Sequence, residues 1–147
     1  MGREINGIRF VKTWGDIDLS KYQIETSNGS SVFINRVYVN PDILSELIEQ
    51  LHSFSGQIHG GIYDMTLGSF GPEFAGGAIH NRLHFQPLGK IHITARCQSG
   101  YSQFSSKKIA NESLLHLVTE PALLDNFLME LQGLEKGVRT EAFLECV

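Results

Sequence analysis

Two stretches of the chain carry apolar residues at helical spacing, and they stand in register with each other eighty residues apart. Asn40-Pro41 precedes Ile43, Leu44, Leu47, Ile48, Leu51 and Phe54, while Glu120-Pro121 precedes Leu123, Leu124, Phe127, Leu128, Leu131 and Leu134. Each set forms one stripe, which predicts a helix with a single face on a core, over 40–56 and 120–136. Proline at the first helical position costs little, because its missing N–H would have no helical partner there. Gly56 and Gly137 stand where the two helices should end. Any two core-facing helices share such a stripe, but the matching proline and six matching apolar positions predict an internal duplication.

Period-two alternation fills much of the remainder. It predicts strands at Ile8–Thr13, Tyr22–Ser27, Ser31–Val39, Gly61–Leu67, Ala78–Gln86, Lys90–Gln98 and Leu114–Val118. Asn28-Gly29 suggests a type I′ hairpin turn, in which both central residues need positive φ. Gly68–Gly77 and Ser99–Ala110, rich in small and polar residues, read as loops. The resulting order, βββα then ββββα, predicts an α+β fold: antiparallel sheet with two helices and an internally duplicated strands-then-helix unit. One domain over 1–147 is expected, with half-repeats near 3–56 and 61–137. In element order alone it resembles the Whirly and Pur-type nucleic-acid-binding folds, and a similar pseudo-two-fold would relate the halves.

The hairpin at 78–97 is the most legible segment. Pro87-Leu88-Gly89 fits a three-residue loop, a type I turn with Pro at its second position followed by a left-handed glycine. That loop sets Gln86 opposite Lys90, His84 opposite His92, Arg82 opposite Thr94 and His80 opposite Arg96, all on one face. Ile79, Leu83, Phe85, Ile91, Ile93, Ala95 and Cys97 line the other face, with Asn81 its one polar member. Four readings of the polar face compete. It is a solvated sheet surface, a recognition platform for acidic or aromatic groups, a metal site, or an acid–base pair of histidines with Lys90 as in a metal-independent ribonuclease. A metal is disfavoured because His80 and His84, four residues apart on a strand, lie about 13 Å apart. His84 and His92 have no evident third ligand, and Arg82 and Arg96 would repel a cation. Acid–base catalysis is disfavoured by a face that is open to solvent and supplies no pocket.

No P-loop, dinucleotide fingerprint, nucleophile elbow or zinc-protease motif occurs, so no catalytic residue, cofactor or metal is expected. Gly60-Gly61 and Gly76-Gly77 read as hinges or bulges rather than phosphate cradles. Lys107-Lys108 beside Tyr101 and Phe104 has the composition of a single-strand binder, or of a solvated loop. Trp14, the only tryptophan, is expected to close the core; the alternative is an exposed anchor beside Asp16 and Asp18. Acids such as Asp64, Glu73, Glu120, Asp125 and Glu130 are scattered without a run, but Asp42, Glu46 and Glu49 form one ridge off the first helix's apolar stripe.

Bulk properties narrow the function. A chain that is 41% hydrophobic and 19% charged is composed like a globular protein, not a disordered one. A net charge of −4 is wrong for non-specific nucleic-acid or membrane binding and would suit a basic partner. Two cysteines, Cys97 and Cys146, make neither a disulfide framework nor a metal spacing, which favours a reducing compartment. The first residues hold no apolar run of the secretory kind, nor the Ser or Thr that myristoylation needs at position 6, and no apolar stretch reaches membrane-spanning length. A cytoplasmic location is therefore expected.

The stretch Gly89-Lys90-Ile91-His92-Ile93-Thr94-Ala95, followed by Leu114 to Leu134 with Thr119-Glu120-Pro121-Ala122-Leu123-Leu124, resembles the tail of immunity proteins from contact-dependent growth inhibition and related polymorphic toxin systems. The likeness covers about a third of the chain, and Pro121 departs from the polar residue expected there. It implies a bacterial cytoplasmic protein, not an enzyme, that binds and neutralises one cognate toxin domain, often a nuclease. Partner-binding candidates are then the acids Asp16, Asp18, Glu46 and Glu49, with His80, Arg82, His84, His92 and Arg96 of the polar face. A single-stranded nucleic-acid-binding protein with a Whirly-like or Pur-like sheet is the alternative, against which the net charge speaks.

Overall fold

The computed structural model describes residues 6–71 and 76–147. Three strands, β1 (Gly7–Gly15), β2 (Ser20–Ser27) and β3 (Val32–Val39), lead into helix α1 (Pro41–Ser55). Then come β4 (Ile62–Ser69), β5 (Gly77–Phe85), β6 (Ile91–Ser99), a small hairpin of β7 (Ser102–Phe104) and β8 (Lys107–Ile109), β9 (Glu112–Thr119) and helix α2 (Pro121–Glu135). A last strand, β10 (Glu141–Glu145), follows α2. The expected α+β class holds: two antiparallel four-stranded sheets, ordered β10-β1-β2-β3 and β4-β5-β6-β9, with two helices.

Helix starts follow the sequence logic with one exception. Asn40 caps α1, its Oδ1 accepting from the Ile43 N–H at 2.8 Å. Glu120 occupies the same place before α2 but makes no cap; its carboxylate instead accepts from Lys90 Nζ at 2.6 Å. Gly137 adopts φ +76 just beyond α2, as a helix-ending glycine does, whereas Gly56 ends α1 in an ordinary right-handed conformation.

The helices knit the halves together. Phe127 of α2 meets Phe10 of the first sheet edge-on at 5.6 Å between ring centres, and α2 packs along β10. Phe54 of α1 stacks at 4.9 Å on Phe85 of the second sheet. Each helix thus covers the sheet of the other half, and the buried residues of both sheets form one core. β3 lies against the β4–β6 end of the second sheet, held by Asn35 Nδ2 donating to the carbonyls of Ala78 (3.2 Å) and Gln98 (3.1 Å). The crossing is close enough that Gly77, at φ +118, has the Arg36 carbonyl oxygen 2.2 Å from where a Cβ would sit. Only glycine fits there.

Four expectations are corrected. Trp14 does not close the core; it is 51% exposed beyond a bulge between Lys12 and Trp14, next to Ile17, which is 87% exposed. The β2–β3 connection is not a two-residue type I′ turn. Only Gly29 has positive φ, and Asn28 Oδ1 gathers the amides of Ser30 (3.1 Å) and Ser31 (2.9 Å), which extends the loop to four residues. At the β5–β6 turn Leu88 takes φ 70, ψ 12, the third-residue conformation of a type II turn rather than type I, although the pairing is as expected. Ser99–Ala110 is not a plain loop, because it contains the β7–β8 hairpin. Within Gly68–Gly77, positions 72–75, including the acid Glu73, lie outside the described residues, as does the N-terminal stretch 1–5.

Candidate functional site

The second sheet turns an open face to solvent, and its registers fix what stands beside what. Reading from β4 to β9, the rows are Ile62–His84–His92–Val118, Asp64–Arg82–Thr94–His116 and Thr66–His80–Arg96–Leu114. The predicted set His80, Arg82, His84, His92 and Arg96 is thereby brought together on one surface, with the pairs His84–His92 and His80–Arg96 directly opposite. Sequence reasoning missed the outer strands' contributions: Asp64 from β4, and Leu114 and His116 from β9. Their alternation was visible, but which strands flank the hairpin is set by non-local pairing.

Asp64 organises this face. Its carboxylate accepts from Arg82 through both oxygens, at 2.8 and 3.1 Å, and lies 3.0 Å from His80 Nε2. The Arg82 hydrogen bonds hold the Asp64 carboxyl well down, at about 2, against the opposing effect of partial burial. Arg96 reaches the Glu112 carboxylate at 3.3 Å and stacks over the Phe70 ring at 4.2 Å. Lys90 is bound to Glu120. Each of these three cations has a carboxylate partner within the chain. The face therefore mixes paired cations with carboxylates and imidazoles rather than presenting a row of unpaired cations. His84 Nδ1 lies 3.0 Å from the Gln86 amide, which orients its ring.

Asp64 also belongs to a groove of about 290 Å³ between α1 and the β3–β4 edge. Tyr38, Ile43, Glu46, Gln50, Tyr63 and Thr66 line it with Asp64. Burial, with the Glu46 and Asp64 carboxylates nearby, pushes the Tyr63 phenol up to about 12. Glu46 is exposed on α1 and accepts from the Gln50 amide at 3.1 Å. The Glu46 carboxylate and the tyrosine rings offer an acceptor and π-faces to a cationic group, the Tyr38 ring already having Lys21 Nζ 5.6 Å from its centre.

The remaining predicted acids are elsewhere. Asp16 sits in the β1–β2 turn, where its Oδ1 accepts from the Asp18 and Leu19 amides at 2.8 and 2.9 Å, so part of its acceptor capacity serves the turn. Asp18 is exposed at the same turn, beside Trp14 and Ile17. Glu49 is exposed on α1 but does not line the groove. Among the described residues no three His, Cys, Asp or Glu side chains converge as a metal site. Both thiols are buried, and burial raises both, that of Cys146 to about 12. No described helix is long and apolar enough to cross a membrane. No family model, no curated protein and no solved structure matches this chain.

Proposed function

We propose that the protein acts by binding another protein, and that it is an immunity protein neutralising a cognate bacterial toxin domain, a nuclease in the favoured case. One observation carries the reading: the groove lined by Glu46, Tyr38, Tyr63 and Asp64 beside a flat polar platform. An arginine or lysine of a basic partner would find carboxylate acceptors and aromatic faces there, and the platform's His and Arg side chains would meet the rest of the contact. A nuclease must be basic around its substrate groove, so an acidic ligand docks where substrate would. The chain's net charge of −4 agrees in sign. The role requires no catalysis and no cofactor, and it is exercised in the cytoplasm.

The test is capture of the product of the adjacent upstream gene by the purified protein, followed by loss of that product's activity in the complex. Glu46→Lys is expected to weaken capture at least tenfold. Failure to bind that product, together with tight binding to a short thymidine oligomer, would favour the second reading, a single-stranded nucleic-acid-binding protein. That reading has one observation of its own: the β7–β8 hairpin holds Phe104 66% exposed beside Lys107.

A further inference from the structure

Among the described residues, the outer strands of the two four-stranded sheets differ in what lies along them. On β10 the Phe143 N–H donates to Glu130 Oε1 at 2.8 Å, and the Glu141 carbonyl accepts from Arg139 at 3.1 Å. β3 lies against the second sheet, and β4 lies under α1 and β3. The eight-residue strand β9 differs. Among the described residues β6 is the one strand paired with it. Natural proteins protect such an edge with lysine, proline, a bulge or a covering element. β9 reads Glu-Ser-Leu-Leu-His-Leu-Val-Thr and carries a single formal charge, Glu112.

Which backbone groups of β9 point outward follows from two contacts. The Asn111 carbonyl accepts from Ser99 N–H on the β6 side, and the Val118 carbonyl accepts from Val147 N–H on the other side. Alternation then turns the N–H and C=O of Glu112, Leu114 and His116 away from β6. Val118 is already engaged by Val147, so among the described residues the outward ladder consists of those three residues. They are symmetric about Leu114.

The geometry points to a homodimer in which β9 pairs antiparallel with β9 of a second copy, the two-fold passing beside Leu114. In that register Leu114 meets its own symmetry mate, and Glu112 faces His116 of the second copy twice over. Each facing pair exchanges two hydrogen bonds, giving about six across the edge. The Glu112–His116 juxtaposition sets a carboxylate acceptor against an imidazole N–H donor, a match that a parallel or shifted register lacks. Leu114, 58% exposed in the single chain, becomes covered at the centre. The product is a continuous eight-stranded sheet whose polar face is doubled. A two-fold, self-complementary contact of this kind closes on itself and does not propagate into fibres.

Sedimentation velocity of the full chain over a micromolar concentration series tests this. Wild type is expected to sediment as a reversible dimer. Leu114→Pro removes one outward N–H and no β6 bond, so it should yield a monomer with an unchanged far-ultraviolet spectrum. His116→Glu, which sets glutamate against Glu112, should weaken the dimer at least tenfold and stands in if the proline variant does not fold. A wild type that stays monomeric at high micromolar concentration would overturn the proposal and leave the edge to a strand from a different protein. A dimer that survives both substitutions would overturn it equally.

Discussion

Replacing Asn81 by valine is expected to stabilise the protein, and the reason lies in the core face of the second sheet. Asn81 is fully buried on β5, opposite Met65 on one side and Ala95 on the other, with Ile79 and Leu83 flanking it on the same face. Neither its Nδ2 nor its Oδ1 has a hydrogen-bond partner. A buried polar group left unpaired costs about 1–3 kcal/mol, and the Asn81 amide carries both an unpaired donor and an unpaired acceptor. Valine removes both, suits a strand, and adds apolar contact, at the expense of slightly greater volume beside a small neighbour, Ala95. The balance predicts a gain of about 1–2 kcal/mol, each kcal/mol raising the melting temperature by about 2–4 °C in a chain of this size. Asn81→Asp should move the other way, by more than about 3 kcal/mol, because a carboxylate there has no partner either. Urea and thermal unfolding followed by circular dichroism measure both. A valine variant that melts below wild type would refute the reasoning, since the amide would then be making bonds in the folded protein.

Other predictions follow from single contacts. Asp64, held at about 2 chiefly by its Arg82 hydrogen bonds, adds stability that is full above the unfolded value of 3.8 and is lost as pH falls from about 4 to 2. Because the carboxylate is 40% exposed, that contribution is discounted to about 1 kcal/mol or less, so Asp64→Asn should lose correspondingly less stability than wild type between pH 5 and pH 2 in urea titrations. Gly77→Ala forces a side chain against the Arg36 carbonyl at positive φ and should cost at least about 2 kcal/mol in the same assay. Cys97 and Cys146, buried with raised values, should react with a thiol reagent only as fast as the protein unfolds. The proposed duplication predicts that each four-stranded sheet superposes on the other together with the helix that follows it in sequence, β10 standing for the first strand of the first unit; a match of isolated helices alone would count against it.

What the sequence made legible was local. Pro87-Leu88-Gly89 set the loop length of the β5–β6 hairpin, and loop length sets register, so His84 and His92 could be placed opposite each other without tertiary information. The helical stripes were almost as plain: Leu44, Leu47, Ile48, Leu51 and Phe54 bury at the expected spacing, while Ile43 at the stripe's start is 41% exposed. Turn geometry was less legible: Asn28 has a side chain that can bind the following amides, and that option competes with the left-handed conformation a type I′ turn needs. Strand β10, only five residues long, follows a helix with no turn signal strong enough to announce it. Trp14 looked like a core residue by type alone, but it lies past a bulge at the far end of β1, beyond the helices' cover. Asp64 and Glu46, eighteen residues apart, share a groove only because α1 packs along β4, which no local pattern reveals.

The central claim, recognition of a basic protein through the Glu46–Asp64 groove, is tested most directly by the rate of association with the product of the adjacent upstream gene as ionic strength varies. The account predicts a rate that falls steeply with added salt, and a Glu46→Lys variant that binds more slowly and with a flatter salt dependence. A flat salt dependence in wild type, with unchanged affinity in Glu46→Lys and Asp18→Lys, would contradict it.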